Sequence, residues 1–394
     1  MKKRAIRFVE LCAGIGGMRR GLEMSGWQCV HSSDFDNHAV AIHRLAFGEC
    51  DLLDVRTADP TMFPEHDVLV AGFPCQPFSS SGDKKGFLHS SGNVFESIMR
   101  IVEISQSATL IFENVEGLLN NQGGYSMTVI LQSLDRMGYR TTWLILDGAL
   151  FGAPQTRRRI FMIAQRDDKE LSARKAASED SPLKGEVFGS IAEEYGIKIL
   201  DASYCDIGKL YAELRPKIGI PRRGVAAAFG SWGVSGKGIC RTGLVRYKIP
   251  DYSEQLGEIC CPNFEYRTTV RSVRYYARGA PTAPHVRKDP VAHCLGTNIG
   301  AGPTFAVSHS VICKTSHRKE VLEFSNWHRD QNDHLIFRLT PERAIRLFGD
   351  GVEPIRDALI GSGIGATRLY VLLGNLVVPR VSEAIARHIA GHIS

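Results

Sequence analysis

Between residues 6 and 166, short and continuously apolar runs alternate with stretches of helical periodicity, and no other feature restricts the fold so tightly. IRFVELC (6–12), WQCVHSS (27–33), DVLVAG (67–72), ATLIFEN (108–114), YRTTWLILD (139–147) and RIFMIAQR (159–166) read as strands. Helical patterns fill 17–24, 37–48, 93–105 and 125–137. A strand covered on both faces needs apolar side chains on both, so its sequence loses the polar alternation of a half-exposed strand. The strand–helix–strand rhythm predicts an α/β fold, a doubly wound sheet with helices on its two faces.

The pattern changes near Arg166. RDDKELSARKAASEDSPLKGE (166–186) is polar and charged and reads as a linker or surface excursion. From about 185 to 335 come short strand-like pieces broken by Gly and Pro, without clear helical periodicity. LTPERAIRLFG (339–349) then offers a Thr N-cap, a Pro at the first helical position and a terminating Gly. LGNLVVPRVSEAIARHIAGHI (373–393) reads as a Gly-Asn turn entering an amphipathic helix. The expected division is 1–170, a cofactor-binding and catalytic domain; 171–335, a smaller, mostly β or irregular domain; and 336–394, helices returning to the first.

Composition narrows the class. With 43% hydrophobic and 23% charged residues among 394, the chain has the make-up of a soluble globular protein. No apolar run approaches the ~18 residues of a membrane helix, and Glu10 interrupts the apolar stretch near the start, against a secretory signal. The ten cysteines are irregularly spaced with no Cys-x-x-Cys, so no metal site or disulfide framework is expected, and reduced thiols point to a cytoplasmic setting. The net charge of +6 is concentrated: residues 209–290 hold 15 Lys and Arg against 6 Asp and Glu, interleaved with tyrosines. Such a block is either a solvated face or a polyanion-binding surface.

Five stretches carry chemistry. FVELCAGIGGMRRG puts Gly14, Gly16 and Gly17 between a strand and a helix, where small residues let the backbone approach a ligand. Arg19 breaks the full dinucleotide fingerprint, yet Asp34, at the end of the next strand, sits where a carboxylate would hold a ribose. In CDLLD, Asp51 could accept from an adenine amino group, and Phe35 and Leu52 could sandwich the ring. The combination suggests an adenosine-containing cofactor without an important pyrophosphate; a tight turn with surface acids is the plainer alternative. In AGFPCQPFSSSG (71–82), Pro74 and Pro77 stiffen the backbone on either side of Cys75. A lone cysteine is by default a small buried hydrophobe, so its role must come from its company. LIFENVEGLL aims Glu113 and Asn114 off a strand's carboxyl end, and FGAPQTRRRIFMIA places Arg157 and Arg159 two apart, on one face of an extended segment. Either could be surface charge.

Taken in order, FxxxCAGIGG, Pro-Cys-Gln, Glu-Asn-Val, Gln-x-Arg-x-Arg, LTPERAIRLFG and Gly-Asn-x-Val make the chain resemble the DNA cytosine-5 methyltransferases of bacterial and phage type, over residues 6–166 and 336–392. The resemblance implies a Rossmann-like S-adenosylmethionine-dependent domain joined to a smaller DNA-recognition domain. It implies S-adenosyl-L-methionine as cofactor, with Leu11, Gly14, Gly16, Gly17, Asp34, Phe35, Asp51, Leu52 and Asn375 around it. Cys75 matches the nucleophile, Glu113 the glutamate that holds the base, and Arg157 and Arg159 the arginines of the target pocket, flanked by Phe73, Pro74, Gln76 and Asn114. The partner implied is double-stranded DNA, with room for a cognate restriction endonuclease; a monomer, no membrane and no metal are expected. Arg222, Arg223, Arg271 and Arg274 of the basic block are the candidate DNA contacts. Departures from the family pattern are Cys12 for Phe, Cys50 for Gly, a missing second Pro in GNLVVP, and Cys294-Leu295 for a Thr-Leu or Thr-Ile pair.

The implied chemistry explains the residue types. A thiolate from Cys75 adding to cytosine carbon 6 makes carbon 5 nucleophilic, Glu113 meets the charge at ring nitrogen 3, and an arginine holds the carbonyl at carbon 2. The base must leave the duplex to be reached. Two rivals remain: a tRNA cytosine-5 methyltransferase, which usually carries Cys-Phe-Thr where none is found here, and a non-catalytic nucleic-acid-binding module, which should have lost Cys75 or Glu113.

Overall fold

The computed structural model describes residues 4–74, 94–166, 187–206, 225–232, 239–252 and 335–391, with shorter pieces at 255–256, 259, 271–274, 285–286, 291–292, 294, 310–313, 327–329 and 393. Cys75, Gln76, Arg222 and Arg223 lie outside the described residues.

The apolar runs form strands where the sequence places them: β1 Arg7–Leu11, β2 Gln28–Asp34, β3 Asp51–Leu52, β4 Val68–Ala71, β5 Thr109–Val115, β6 Tyr139–Asp147 and β7 Arg158–Arg166. Between them lie helices α1 Gly17–Met24, α2 Asn37–Phe47, α3 Val94–Ser105 and α4 Tyr125–Arg136. The strands stand in the order β3-β2-β1-β4-β5-β7-β6. The first five are parallel, and β7 runs antiparallel between β5 and β6. All four residues of β4 are buried, as a central parallel strand requires. The chain winds outward from β1 through β2 to β3, then restarts at β4 on the other side of β1. That reversal leaves a crevice at the carboxyl ends of β1 and β4, where open α/β sheets bind ligands.

Local signals explain the helix starts. Asp36 caps α2, its side chain accepting from the His38 and Ala39 amides at 3.0 and 3.4 Å. Gly16 precedes α1 at φ 89°, a left-handed conformation that other residues rarely adopt.

Beyond β6 the sheet continues antiparallel through β9 Val225–Trp232 and β10 Ile239–Arg246 to β8 Lys198–Asp206. Helix α5, Val187–Glu194, precedes β8 in a stretch whose sequence shows no clear helical period. It is only eight residues long and carries Gly189, which explains the weak signal. A second, five-stranded antiparallel sheet is ordered β12-β11-β13-β15-β14. Its strands are β11 Arg271–Arg274, β12 His285–Val286, β13 Ser310–Cys313, β14 Trp327–Arg329 and β15 Leu335–Arg338. Arg271 and Arg274 are the end residues of β11.

The C-terminal segment is helical: α6 Pro341–Ala344, continued as a 3₁₀ turn over Ile345–Phe348, then α7 Glu353–Gly361, α8 Ala366–Asn375 and α9 Pro379–Ile389. Thr340 stands at the expected N-cap, but its hydroxyl makes no capping bond. Gly374 and Asn375 do not form the turn expected before the last helix. They close α8, and Leu376–Val378 makes the connection, because Pro379 suits the first position of a new helix. Helix α9 packs on α1 so closely that a Cβ on Gly21 would lie 2.1 Å from the Pro379 carbonyl oxygen and 2.1 Å from Ser382 Oγ. The end of the chain therefore forms one wall of the domain that its beginning starts.

Candidate active site

A cavity of about 710 Å³ opens at the β1/β4 reversal. Three stretches of chain wall it. The loops after β1, β2 and β3 supply Gly14, Gly17, Asp34, Phe35, Asp54 and Val55 on one side. Those after β4 and β5 supply Gly72, Phe73, Pro74, Glu113 and Asn114, with Arg159 from β7. The α8–α9 connection closes the third side with Gly374, Asn375 and Val377.

On the first side Asp34 is buried and held at both oxygens. Its Oδ2 accepts from the Gly14 amide at 2.8 Å and its Oδ1 from the Asp36 amide at 2.9 Å. Burial still pushes its carboxyl above the usual range. The Phe35 ring is 68% exposed, an apolar face with nothing packed over most of it. Asp54 points along the same wall with its carboxylate gripped by Arg56 at 2.6 to 3.0 Å, and that bond holds its pKa low.

Glu10 forms part of the floor. It is buried, and burial pushes its carboxyl up to about 8. One oxygen accepts from the Arg19 amide at 3.1 Å; among the described residues Oε2 has no partner. A buried carboxylate oxygen left bare is costly, so a donor arriving through the cavity would be strongly favoured.

On the second side Glu113 and Arg159 face each other, with Arg159 Nε 3.2 Å from Glu113 Oε1. Their strands fix this pairing, since Val115 of β5 stands opposite Arg159 of β7. Burial raises the Glu113 pKa, opposed first by Arg159 and then by Arg157. Asn114 lines the wall, but its amide is engaged: Nδ2 donates to the Phe73 carbonyl at 2.9 Å, and Oδ1 accepts from the Val115 amide at 2.8 Å. It therefore braces the loop that runs through Pro74 toward Cys75. The Phe73 ring packs edge-on to Phe112 at 5.6 Å, anchoring the same loop from below.

Several sequence expectations need correction. Arg157 and Arg159 do not share the cavity wall. Arg157 is buried behind it, donating Nη2 to the Gly374 carbonyl at 2.7 Å and its backbone amide to Asp147 Oδ1 at 2.8 Å. Its guanidinium also stacks over the Phe348 ring at 5.1 Å, and Nη1 reaches Cys294 Sγ at 3.5 Å. It is a clamp joining β7 to the α8–α9 connection. Burial and the Arg159 charge lower its pKa to about 10, which leaves it cationic at neutral pH.

Asp51 and Leu52 also stand outside the cavity. Asp51 is 59% exposed on its side chain and faces His31 Nδ1 at 3.6 Å. Leu52 is likewise on the surface. Three residues on, Asp54 and Val55 line the cavity. The signal was present, because β3 ends at Leu52 and the residues just past a strand's carboxyl end are those that reach the crevice. Leu11 and Gly16 support the loop from within rather than lining it: Leu11 is fully buried in β1. The departures Cys12 and Cys294 both contribute to the cavity wall. Cys12 has a φ of 54°, and burial raises its thiol pKa far above the ordinary value.

Comparison with known proteins identifies the family. The family model for C-5 cytosine-specific DNA methylases matches residues 6–391, and the chain belongs to that family. Among characterised relatives, the type II methyltransferase M.MspI of Moraxella sp is 41% identical over 159 residues, 40% of this chain and 38% of its own length. M.HhaI of Haemophilus parahaemolyticus is 37% identical over 166 residues, 42% of this chain and 51% of that one. The chain thus spans about half or less of the length of these relatives in alignment, 38% and 51%. Among solved structures, Dnmt2 methyltransferase of S. pombe superposes with a TM-score of 0.51 at 19% identity, covering 98% of this chain and 99% of that one. DNMT2 of Spodoptera frugiperda gives 0.54 at 15%, covering 98% and 100%. At such identities the superpositions show the fold.

Proposed function

We propose that the chain transfers a methyl group from S-adenosylmethionine to carbon 5 of cytosine in double-stranded DNA, with Cys75 as nucleophile. The observation that carries this reading is one cavity with two chemically different walls. A buried carboxyl with a raised pKa faces an arginine on one, and an acid, a free aromatic face and a second acid stand on the other.

The residues present suit the cofactor. The cavity volume falls within the ~300–1,000 Å³ of small-molecule sites. Asp34 would hold the ribose hydroxyls. Phe35 and Val55 would cover the faces of the adenine, and Asp54 would accept from its amino group. The bare Oε2 of Glu10 is a fitting counterpart for the ammonium of the methionine end, and Asn375 closes that side. When bound, S-adenosylmethionine supplies an electrophilic methyl group to carbon 5.

The chain's own residues do the rest. Cys75 follows Pro74, which forms part of the wall beside Glu113, and its thiolate is the nucleophile of this reading. Attack at carbon 6 forms a carbon–sulfur bond as the 5,6 double bond opens toward carbon 5. Glu113, whose carboxyl pKa burial raises, hydrogen-bonds or protonates ring nitrogen 3 as charge builds there. Arg159 holds the neighbouring carbonyl at carbon 2. Asn114 and the Phe73 packing keep the thiol's loop in place, which matters because small misplacements cost large factors in rate. Loss of the carbon 5 proton re-forms the double bond and expels Cys75. A buried cavity of this kind admits a cytosine only after it leaves the helix stack. In this reading residues 171–335 carry the DNA-recognition surface, with residues 1–170 and 336–394 building the catalytic domain. The enzyme would work in the cytoplasm on chromosomal DNA, alone or beside a restriction endonuclease.

Duplex DNA carrying 5-fluorocytosine tests this directly. With S-adenosylmethionine, the wild-type chain should form a covalent adduct that mass spectrometry maps to Cys75, because fluorine blocks the final proton loss. Cys75→Ser should form none while still binding DNA. An adduct on another cysteine, normal turnover by Cys75→Ser, or transfer to tRNA in preference to duplex DNA would overturn the reading.

A further inference from the structure

Beneath the glycine loop, outside the cavity wall, lies a closed group of polar side chains that the proposed chemistry leaves unused. Arg19, on α1, is buried. Its Nε donates to Glu23 Oε1 at 2.7 Å. Nη1 donates to Ser32 Oγ at 3.3 Å and the Glu49 carbonyl at 3.0 Å, and Nη2 to the Phe47 carbonyl at 3.3 Å. The guanidinium lies 4.9 Å from the centre of the Phe47 ring. Nη1 also meets His43 Nε2 at 3.3 Å, and His43, on α2, is fully buried.

That last contact fixes a proton. A guanidinium has donors only, so His43 Nε2 must present its lone pair. The ring proton then resides on Nδ1, which faces the Gly14 carbonyl at 3.3 Å and donates to it. The tautomer follows from the network rather than from a visible hydrogen. Burial and the Arg19 charge lower the His43 pKa to about 4, so the ring stays neutral near pH 7. Gly14 is thereby held at both of its polar groups: its amide by Asp34 Oδ2 at 2.8 Å, its carbonyl by His43. These two bonds fix the peptides on either side of Gly14, which sits at φ 55° with no side chain to restrain it.

We propose that His43, oriented by Arg19, is a positioning residue that sets the Gly14 peptide and, through it, the Asp34 carboxylate, and so governs affinity for the adenosine half of the cofactor. The inference rests on the S-adenosylmethionine reading above. His43 touches no reacting atom; it acts through the loop.

Two substitutions separate positioning from mere packing. His43→Asn keeps an N–H donor on the same side-chain branch as Nδ1. His43→Phe keeps a ring of similar size and removes the donor. Titration calorimetry with S-adenosylhomocysteine should show the His43→Phe protein binding about tenfold more weakly than wild type, since binding must then order a Gly14 loop that the donor no longer holds. The His43→Asn protein should stay within about threefold. A packing role would make affinity follow the melting temperatures of the two variants. A positioning role separates them at temperatures well below both melts. If His43→Phe does not fold, His43→Ala takes its place in the same comparison. Equal binding by wild type and the donor-less variant, or His43→Asn as weak as that variant, overturns the proposal. A wild-type chain that does not bind S-adenosylhomocysteine overturns the cofactor reading itself, and this inference with it.

Discussion

Replacing Glu113 with Gln tests the chemistry while leaving the shape almost untouched. Glu113 Oε1 lies 3.2 Å from Arg159 Nε, and a Gln carbonyl oxygen can accept from that nitrogen in the same place. What disappears is the proton that a raised carboxyl pKa keeps available. Loss of a general acid costs about 10²–10⁴ in rate, or about 3–5 kcal/mol of barrier at ~1.4 kcal/mol per decade. The assay is single-turnover transfer of labelled methyl into unmethylated genomic DNA, with enzyme and cofactor in excess. The pH dependence has a definite sign. Burial raises the Glu113 pKa above 4.5 in the folded chain. The protonated form is therefore lost as pH rises through that raised value, and wild-type activity should fall there while the residual activity of Glu113→Gln stays flat. Stability falls in the same direction. A carboxyl with a raised folded pKa contributes its full stability only below its unfolded pKa, and that contribution is lost as pH climbs through the folded one. Glu113→Gln should therefore gain in melting temperature relative to wild type as pH rises through that value. A rate loss smaller than about tenfold would show that Glu113 only packs the pocket, and a variant that is both slower and less stable throughout would show that the ion pair is structural.

Asp54→Ala should raise the apparent KM for S-adenosylmethionine several-fold with little change in kcat, whereas Asp51→Ala, at an exposed position, should leave both alone; the opposite order would restore the adenine contact to Asp51. Neutralising Arg271 or Arg274, or Arg222 or Arg223, should weaken binding to all duplexes alike and reduce the log–log salt slope by about one wherever the residue touches phosphate. If replacing all four changes neither affinity nor slope, the basic block is a solvated face. Gly21→Ala drives a methyl group to 2.1 Å from a backbone carbonyl on α9, so denaturant unfolding should show a loss of at least about 1–3 kcal/mol; an unchanged midpoint would mean that α1 and α9 separate more readily than their packing implies.

The parts of the fold legible in the sequence are those governed by period. Runs such as VLVA and LIFEN are apolar because both faces of their strands are covered, and no tertiary detail is needed to see it. The doubly wound class is legible too, but not the strand order: β7 inserts antiparallel between β5 and β6. What escapes is the choice between near-equivalent neighbours. Asp51 and Asp54 are three residues apart on the same short segment, and only the end of β3 at Leu52 decides which faces the crevice. Arg157 and Arg159 have the same strand parity. Their roles diverge because the α8–α9 connection approaches one of them, and that connection is more than 200 residues away in sequence. Glu10 was hidden for a related reason. Inside an apolar strand its charge looks like an interruption, and its meaning depends on a cavity that other loops build.

The same long-range dependence explains why the chain's two ends must meet. Asn375 and Gly374 reach the cavity only because α9 lies on α1, which the absence of a side chain at Gly21 allows. Arg157 ties that connection back to β7, two residues from the Arg159 that faces Glu113. A change in the C-terminal helices is therefore felt at both walls: at the cofactor side through Asn375, and at the base side through the strand that carries Arg159. The intervening region is attached at the same place. Ala292 exchanges backbone hydrogen bonds with the 154–156 loop at 2.9 and 3.0 Å, and Cys294 reaches Arg157. A segment of the proposed recognition region thus lies against the clamp that positions the catalytic wall, so a base could be seated and the pocket set by one continuous set of contacts.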